Sequence, residues 1–197
     1  MNVNAEPTTF IILGATGDLA QRKLFPALFD LFRKDKLGAR FTIIAFARRP
    51  FSREEFWSLV QKSLPVENKP QGTEPQVSAS HTKPGLTGSF LSCIRYVQGF
   101  FDDAASYQVL AKALEQSDKE LGACSNKLFH LAVHPEFYET ILLNLSGSGL
   151  TIPCGGAEGW TRVLVEKPFG RDAETAQELD RLLGNLFKEE QVFRIDH

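Results

Sequence analysis

The chain has 197 residues, 22 of them basic and 24 acidic, for a formal charge of −2 with the histidines neutral. That near balance argues against a dedicated nucleic-acid binder and against a polybasic membrane anchor, while a hydrophobic share of 43% excludes a globally disordered chain. The length suits one generous domain, or one domain and the beginning of another.

Residues 1–9 carry neither a basic nor an apolar leader pattern, and no run approaches the roughly 18 apolar residues of a spanning helix. Residues 10–13 form the first strand-like apolar run, followed at once by the turn Gly14-Ala-Thr-Gly17-Asp-Leu-Ala20. Leu24, Ala27, Leu28 and Leu31 then fall on one helical stripe, with Pro26 expected to split that helix into two pieces joined near Leu24. A strand is predicted over 41–47. Ser52 and Glu55 stand at capping-box spacing and open a helix that buries Phe56, Leu59 and Val60.

Residues 65–90 hold four prolines and three glycines with almost no apolar periodicity, and read as a mobile surface loop. Further strands are predicted over 94–97, 128–133, 162–165 and 192–195, and helices over 103–121, 135–145 and 172–187. Ala176, Leu179, Leu183 and Leu186 face one way on the last helix, and the Gly- and Ser-rich stretch 146–159 reads as a turn. Strands alternating with helices imply an α/β domain with a mainly parallel sheet and right-handed crossovers. Cys93, Cys124 and Cys154 lie about thirty residues apart with no C-x-x-C pair, so the spacing predicts no disulfide, no metal site and a reducing compartment.

Glycines between a strand and a helix start suit a dinucleotide pyrophosphate. The backbone can turn tightly and approach the phosphates, and the helix N-terminus offers free N–H groups and a positive dipole end. The competing reading is a plain loop that uses glycine to cap the helix; a P-loop is excluded because no G-x-x-x-x-G-K-[ST] string is present. The second strand ends in Ala45-Phe-Ala-Arg48-Arg49, where an NAD site usually carries an acid. Arginine there suits the 2′-phosphate of NADP, with Thr16 as a further hydroxyl donor, against the alternative of two solvated arginines before a turn.

Two late strings also fall at carboxyl ends of strands, the edge where ligands bind in open α/β sheets. Glu166-Lys-Pro-Phe-Gly170 places Lys167 there, aimed into the cleft if Pro168 is cis. Arg194-Ile-Asp196-His197 offers an acid able to orient an imidazole and a histidine able to meet an anion. The chain stops at that point without a polar tail, which reads as an interruption.

Together these strings resemble the glucose-6-phosphate dehydrogenase family. The agreement comprises GATGDLA with Lys23, FARR, the runs Phe101-Asp-Asp-Ala-Ala-Ser-Tyr107 and Asn126-Lys-Leu-Phe-His-Leu-Ala132, EKPFG with Arg171-Asp172, and RIDH, in family order over nearly the whole chain except 65–90. His134 stands where the family often has the first of two prolines. The resemblance implies that residues 1–197 are a Rossmann-type, doubly wound NADP-binding domain whose large α+β substrate domain is missing. It places Gly14, Thr16, Gly17, Asp18 and Leu19 at the coenzyme turn and Arg48 at the 2′-phosphate. Lys167 would lie near both nicotinamide and sugar, Lys23 near the sugar, and His197 at the sugar phosphate. Asp196 would orient a catalytic histidine located beyond the chain, and Pro168 matches the family's cis-proline hinge.

The resemblance thus implies an N-terminal portion of a cytoplasmic, homo-oligomeric enzyme of the pentose phosphate pathway. That enzyme passes a hydride from C1 of glucose 6-phosphate to NADP, and this portion is expected not to turn over alone. A short-chain reductase is excluded because it needs Lys four residues after Tyr, and Tyr96, Tyr107 and Tyr138 are followed there by Phe100, Ala111 and Leu142. The remaining alternatives are a non-catalytic NADP-binding module and another sugar dehydrogenase sharing the EKP turn.

Overall fold

Among the described residues the strands are β1 (Thr8–Leu13), β2 (Phe41–Ala47), β3 (Ile94–Gln98), β4 (Asn126–Leu131), β5 (Thr161–Glu166) and β6 (Val192–Ile195). They form a single sheet in the order β3-β2-β1-β4-β5-β6, and every neighbouring pair is parallel. The computed structural model describes residues 6–65, 85–154, 159–167, 169 and 172–195. The expected loop from 66 to 84, with His81 in it, falls outside the described residues, as do Pro168, Gly170, Arg171, Asp196 and His197.

Among the described residues six α-helices link the strands: α1 (Phe25–Arg33), α2 (Arg53–Ser63), α3 (Leu86–Ser92), α4 (Ala104–Leu121), α5 (Tyr138–Gly147) and α6 (Ala173–Leu186). The period-two alternation of the strands sorts their side chains into two cores. Ile12 of β1 and Ile43 and Ala45 of β2 pack with Phe25, Phe56 and Phe90 from the first three helices. Ile11, Leu13, Ile44 and Phe46 face the other way, onto Leu110, Ile141 and Leu183 of the last three. Helices on both faces and a winding reversed beside β1 make the sheet doubly wound. Among the described residues no helix is long and apolar enough to cross a membrane.

Local chemistry explains the element ends. Ser52 caps α2, its hydroxyl accepting from the Glu55 N–H at 3.2 Å while the Glu55 carboxylate accepts from the Ser52 N–H at 2.7 Å. Asp103 caps α4 by accepting from the Ala105 and Ser106 N–H groups, each at 3.1 Å. The Ser106 hydroxyl, with the Ala105 N–H next in weight, holds the Asp103 carboxyl below its ordinary value of 3.8. A carboxyl lowered in the folded state stabilises the fold above the unfolded pKa, and that contribution disappears as pH falls through the folded value. Asp103→Ala should therefore destabilise the fold at neutral pH and change it little in strong acid. A urea titration of both proteins at the two pH values checks this; an equal loss at both would count against the cap.

Three expectations are corrected. The two helical pieces meet near Leu24 as expected, with Pro26 in the first turn of the second, but the helix is not broken there. A π-helical turn over Ala20–Leu24 runs without interruption into α1, with the Phe25 N–H donating to the Ala20 carbonyl. Widening the turn just ahead of a proline accommodates a residue that cannot donate, so the joint near Leu24 is a change of helix type. Second, residues 86–90 of the expected loop belong to α3, which follows left-handed Gly85 and buries Phe90 and Leu91.

Third, Cys124 and Cys154 form a disulfide with Cα atoms 5.9 Å apart, although no disulfide was expected. Thirty residues separate them in the chain, but Cys124 lies two residues before β4 and Cys154 lies in the connection into β5, and those strands are neighbours. Beside them the nearly buried Lys127 ammonium pairs with Asp118 at 2.9 Å.

Candidate functional site

The sheet order brings three strand ends together. Leu13 pairs with Phe46 on one side and Leu131 on the other, so the residues after β1, β2 and β4 emerge side by side at the carboxyl edge. Their side chains line a cleft of about 390 Å³. Gly14, Thr16, Gly17, Asp18 and Leu19 come from the β1 turn, Arg48 and Arg49 from the end of β2, and Ala132, Val133 and His134 from the end of β4. Two other clefts, of about 480 and 550 Å³, run along α6 and hold neither the glycine turn nor the arginines.

The β1 turn is built for close approach. Gly14 adopts φ +91, and a Cβ there would strike the Ala132 carbonyl oxygen and the Val133 side chain. The Gly14 N–H donates to the Phe46 carbonyl at 2.9 Å, and the Gly17 N–H donates to Gly14 at 2.8 Å. The Gln21 amide anchors the turn from the following helix, donating to the Ala15 carbonyl at 2.7 Å. The first N–H groups of a helix lack carbonyl partners within it, and Asp18 and Leu19 at this helix start line the cleft, the place at which a Rossmann turn receives a pyrophosphate.

Arg48 and Arg49 are exposed at the mouth of the cleft, on a turn whose carbonyls are held from β3. The Tyr96 hydroxyl reaches the Ala47 carbonyl at 3.0 Å and also the Arg49 carbonyl. Burial is the main cause that pushes its phenol up to about 12, with Arg49 opposing, so it stays a proton donor at ordinary pH.

Six of the expected coenzyme residues thus meet in one place. Lys23, exposed on the π turn, and Lys167, exposed just past β5, are not among the lining residues of that cleft. The Lys167 backbone N–H donates to the Ile195 carbonyl at 3.1 Å, which places it at the carboxyl edge between β5 and β6. Asp196 and His197 lie outside the described residues.

Sequence reasoning missed Arg49, Ala132, Val133 and the rings of Phe101 and Phe137 as cleft residues. The adjacency of β4 to β1 reveals Ala132, Val133 and Phe137, whereas Arg49 follows Arg48 on the β2 turn and Phe101 comes from the segment after β3. It also left His130 and Glu166 without a role. Their side chains are 3% and 7% exposed and meet at 2.6 Å, His130 Nε2 to Glu166 Oε1, directly behind Lys167. The Tyr138 hydroxyl, 3.3 Å from the Glu166 carbonyl, ties the start of α5 to the same strand end. Among the described residues, Asp118 with Cys124 and Cys154 forms a group of metal-type donors, but its two sulfurs are bonded to each other.

Residues 11–197 match the family model described as glucose-6-phosphate dehydrogenase, NAD binding domain. The chain is 37% identical over 192 residues to glucose-6-phosphate 1-dehydrogenase of Chlamydia muridarum, covering 97% of this chain and 36% of the relative. With the Bacillus subtilis enzyme of the same name it shares 34% over 198 residues, covering 37% of that protein. The chain therefore spans little more than a third of the length of these relatives. A solved glucose-6-phosphate dehydrogenase in complex with its substrate glucose-6-phosphate superimposes with TM-score 0.80 at 35% identity, over 98% of this chain and 37% of that one. Dinucleotide turn, doubly wound sheet and matched motifs agree, and the chain belongs to the glucose-6-phosphate dehydrogenase family, of which it forms the NAD-binding part.

Proposed function

We propose that this domain binds NADP, and that the protein it belongs to oxidises glucose 6-phosphate at C1 to 6-phosphogluconolactone in the pentose phosphate pathway. The observation that carries the coenzyme reading is the meeting of Arg48 with the glycine turn in one cleft. A planar guanidinium bonds a 2′-phosphate bidentately, whereas the acid typical of NAD sites would repel it. The cradle fits the group, since the space a side chain at Gly14 would need is already bounded by Ala132 and Val133.

When bound, the dinucleotide supplies the hydride acceptor. The residues of this chain hold and orient the reactants. Gly14, Thr16, Gly17, Asp18 and Leu19 form the pyrophosphate side, and Arg48 holds the 2′-phosphate. Lys167 presents its ammonium at the carboxyl edge toward nicotinamide and sugar, with Lys23 nearer the sugar. By their place in the RIDH string, His197 takes the sugar phosphate and Asp196 orients a catalytic histidine that this chain does not supply. The domain alone does not turn over; the complete enzyme is a cytoplasmic homo-oligomer.

Arg48→Asp in the whole protein should lower the NADP-over-NAD ratio of kcat/KM by about 100-fold, since it removes a charge-assisted pair and adds a repelling carboxylate. Steady-state kinetics with both coenzymes reads this, and an unchanged ratio would remove Arg48 from the coenzyme site. Tight NADP binding without glucose 6-phosphate turnover in the whole protein would favour a non-catalytic module instead.

A further inference from the structure

The turn that carries Arg48 and Arg49 is short, exposed and adjacent to a proline, yet each of its carbonyls has a fixed donor on the neighbouring strand. Tyr96 and Gln98 lie two apart on β3 and so project to the same side. The register sets Tyr96 opposite Ala45 and Gln98 opposite Ala47, which lets both side chains reach past the end of β2. The Tyr96 hydroxyl has one hydrogen to share between the Ala47 carbonyl at 3.0 Å and the Arg49 carbonyl. The Gln98 amide donates to the Arg48 carbonyl at 3.2 Å, and the Gly99 N–H donates to Ala47 at 3.0 Å. Three successive carbonyls, 47, 48 and 49, are therefore held from β3.

The donor itself cannot wander. The Tyr96 ring stacks on Phe56 with centroids 4.5 Å apart and meets the edge of Phe51 at 6.0 Å. Phe51 stands two residues beyond Arg49, so the same aromatic group fixes the exit of the turn that the hydroxyl fixes from within. A turn with only water on its carbonyls would sample many arrangements of Arg48, and its guanidinium would lose ordering entropy each time it met an anion.

We infer that Tyr96 and Gln98 are positioning residues for coenzyme choice: by holding the Arg48 turn from β3 they pre-organise the guanidinium for a 2′-phosphate. This rests on the NADP reading above and adds to it a pair of residues outside the lining of the coenzyme cleft. Their effect is transmitted through Arg48. It should be visible only for ligands that carry the 2′-phosphate.

The test uses calorimetric titration of the whole protein with adenosine 2′,5′-bisphosphate, and with 5′-AMP as the ligand lacking the 2′-phosphate. Tyr96→Phe keeps the stacked ring and removes the hydroxyl; it should weaken the bisphosphate about five- to tenfold and change 5′-AMP by less than about twofold. Gln98→Ala, at an exposed position that folding tolerates, should weaken the bisphosphate about two- to threefold with the same selectivity. In an Arg48→Ala background Tyr96→Phe should have no further effect, as expected for a residue acting through another.

Equal weakening of both ligands by Tyr96→Phe and by Gln98→Ala, or no weakening of the bisphosphate by either, overturns the inference. Failure of the coenzyme reading has a different signature. Arg48→Ala alone would then leave the bisphosphate affinity intact, whereas its loss in Arg48→Ala together with unchanged Tyr96→Phe and Gln98→Ala proteins sinks only the clamp.

Discussion

Gly14→Ala is expected to destabilise the domain by about 2–4 kcal/mol, from left-handed strain and overpacking combined, and to weaken dinucleotide binding by roughly 100-fold. The first cause is conformational: at φ +91 an L side chain is strained whatever space it has. The second is steric. The added carbon would meet a backbone carbonyl, that of Ala132, a residue tethered to β1 by its N–H bond to the Leu13 carbonyl at 2.9 Å. Either the β1 turn or the end of β4 must shift, and both line the cleft. Gly17→Ala supplies the scale. Its new carbon would stand 3.1 Å from the Gly14 oxygen, with no positive φ to strain it, so a loss of about 1 kcal/mol is expected. Thermal melting and NADP titration of the two variants read both effects, and a Gly14→Ala protein with native affinity would exclude this turn as the pyrophosphate cradle.

His130→Leu should be the other severe change, at about 3–5 kcal/mol. His130 and Glu166 meet at 2.6 Å where their side chains are almost wholly shielded, so the substitution takes a donor from a carboxylate that water cannot reach. Glu166→Gln keeps an acceptor for the same ring nitrogen and should cost only about 1 kcal/mol. Replacing both residues with leucine should recover part of the loss, because the buried carboxylate deprived of its imidazole donor is then gone as well. Urea unfolding of the three proteins measures this order. If His130→Leu proved no worse than Glu166→Gln, the pair would be incidental to stability. Because Glu166 immediately precedes Lys167, a loosened pair should also misplace the lysine at the carboxyl edge.

Much of the frame was legible because local signals agreed with one another. The second strand matches at 41–47, and the Ser52 and Glu55 spacing became a reciprocal cap with both bonds formed. The fourth strand was misjudged by two residues at each end for a physical reason. Its start, Asn126 and Lys127, is polar yet buried, with Asn126 donating to Glu6 at 2.8 Å and Lys127 paired to Asp118. Ala132 and Val133, apolar enough to read as strand, leave the ladder to wall the cleft. The α3 helix was hidden by its length of seven residues and by the glycines around it.

At the site, the glycine turn and Arg48 carry their chemistry in residue type and spacing. The Ala132 to His134 wall and the Tyr96 hydroxyl do not. Their relevance depends on which strands become neighbours, and a list of strands in chain order does not contain that information. The His130 and Glu166 pairing is hidden for the same cause, since 36 residues separate two side chains on adjacent strands.

The Cys124 to Cys154 linkage lies at the amino ends of β4 and β5, the margin of the sheet opposite the ligand edge. It closes a covalent ring around β4 and α5 and cross-links the segments that enter β4 and β5, like the spine of two facing pages. The opposite margin has a clasp of its own, the ion pair of His130 with Glu166. The same two strands are thereby fastened at both ends, covalently at the back and electrostatically beside the ligand edge.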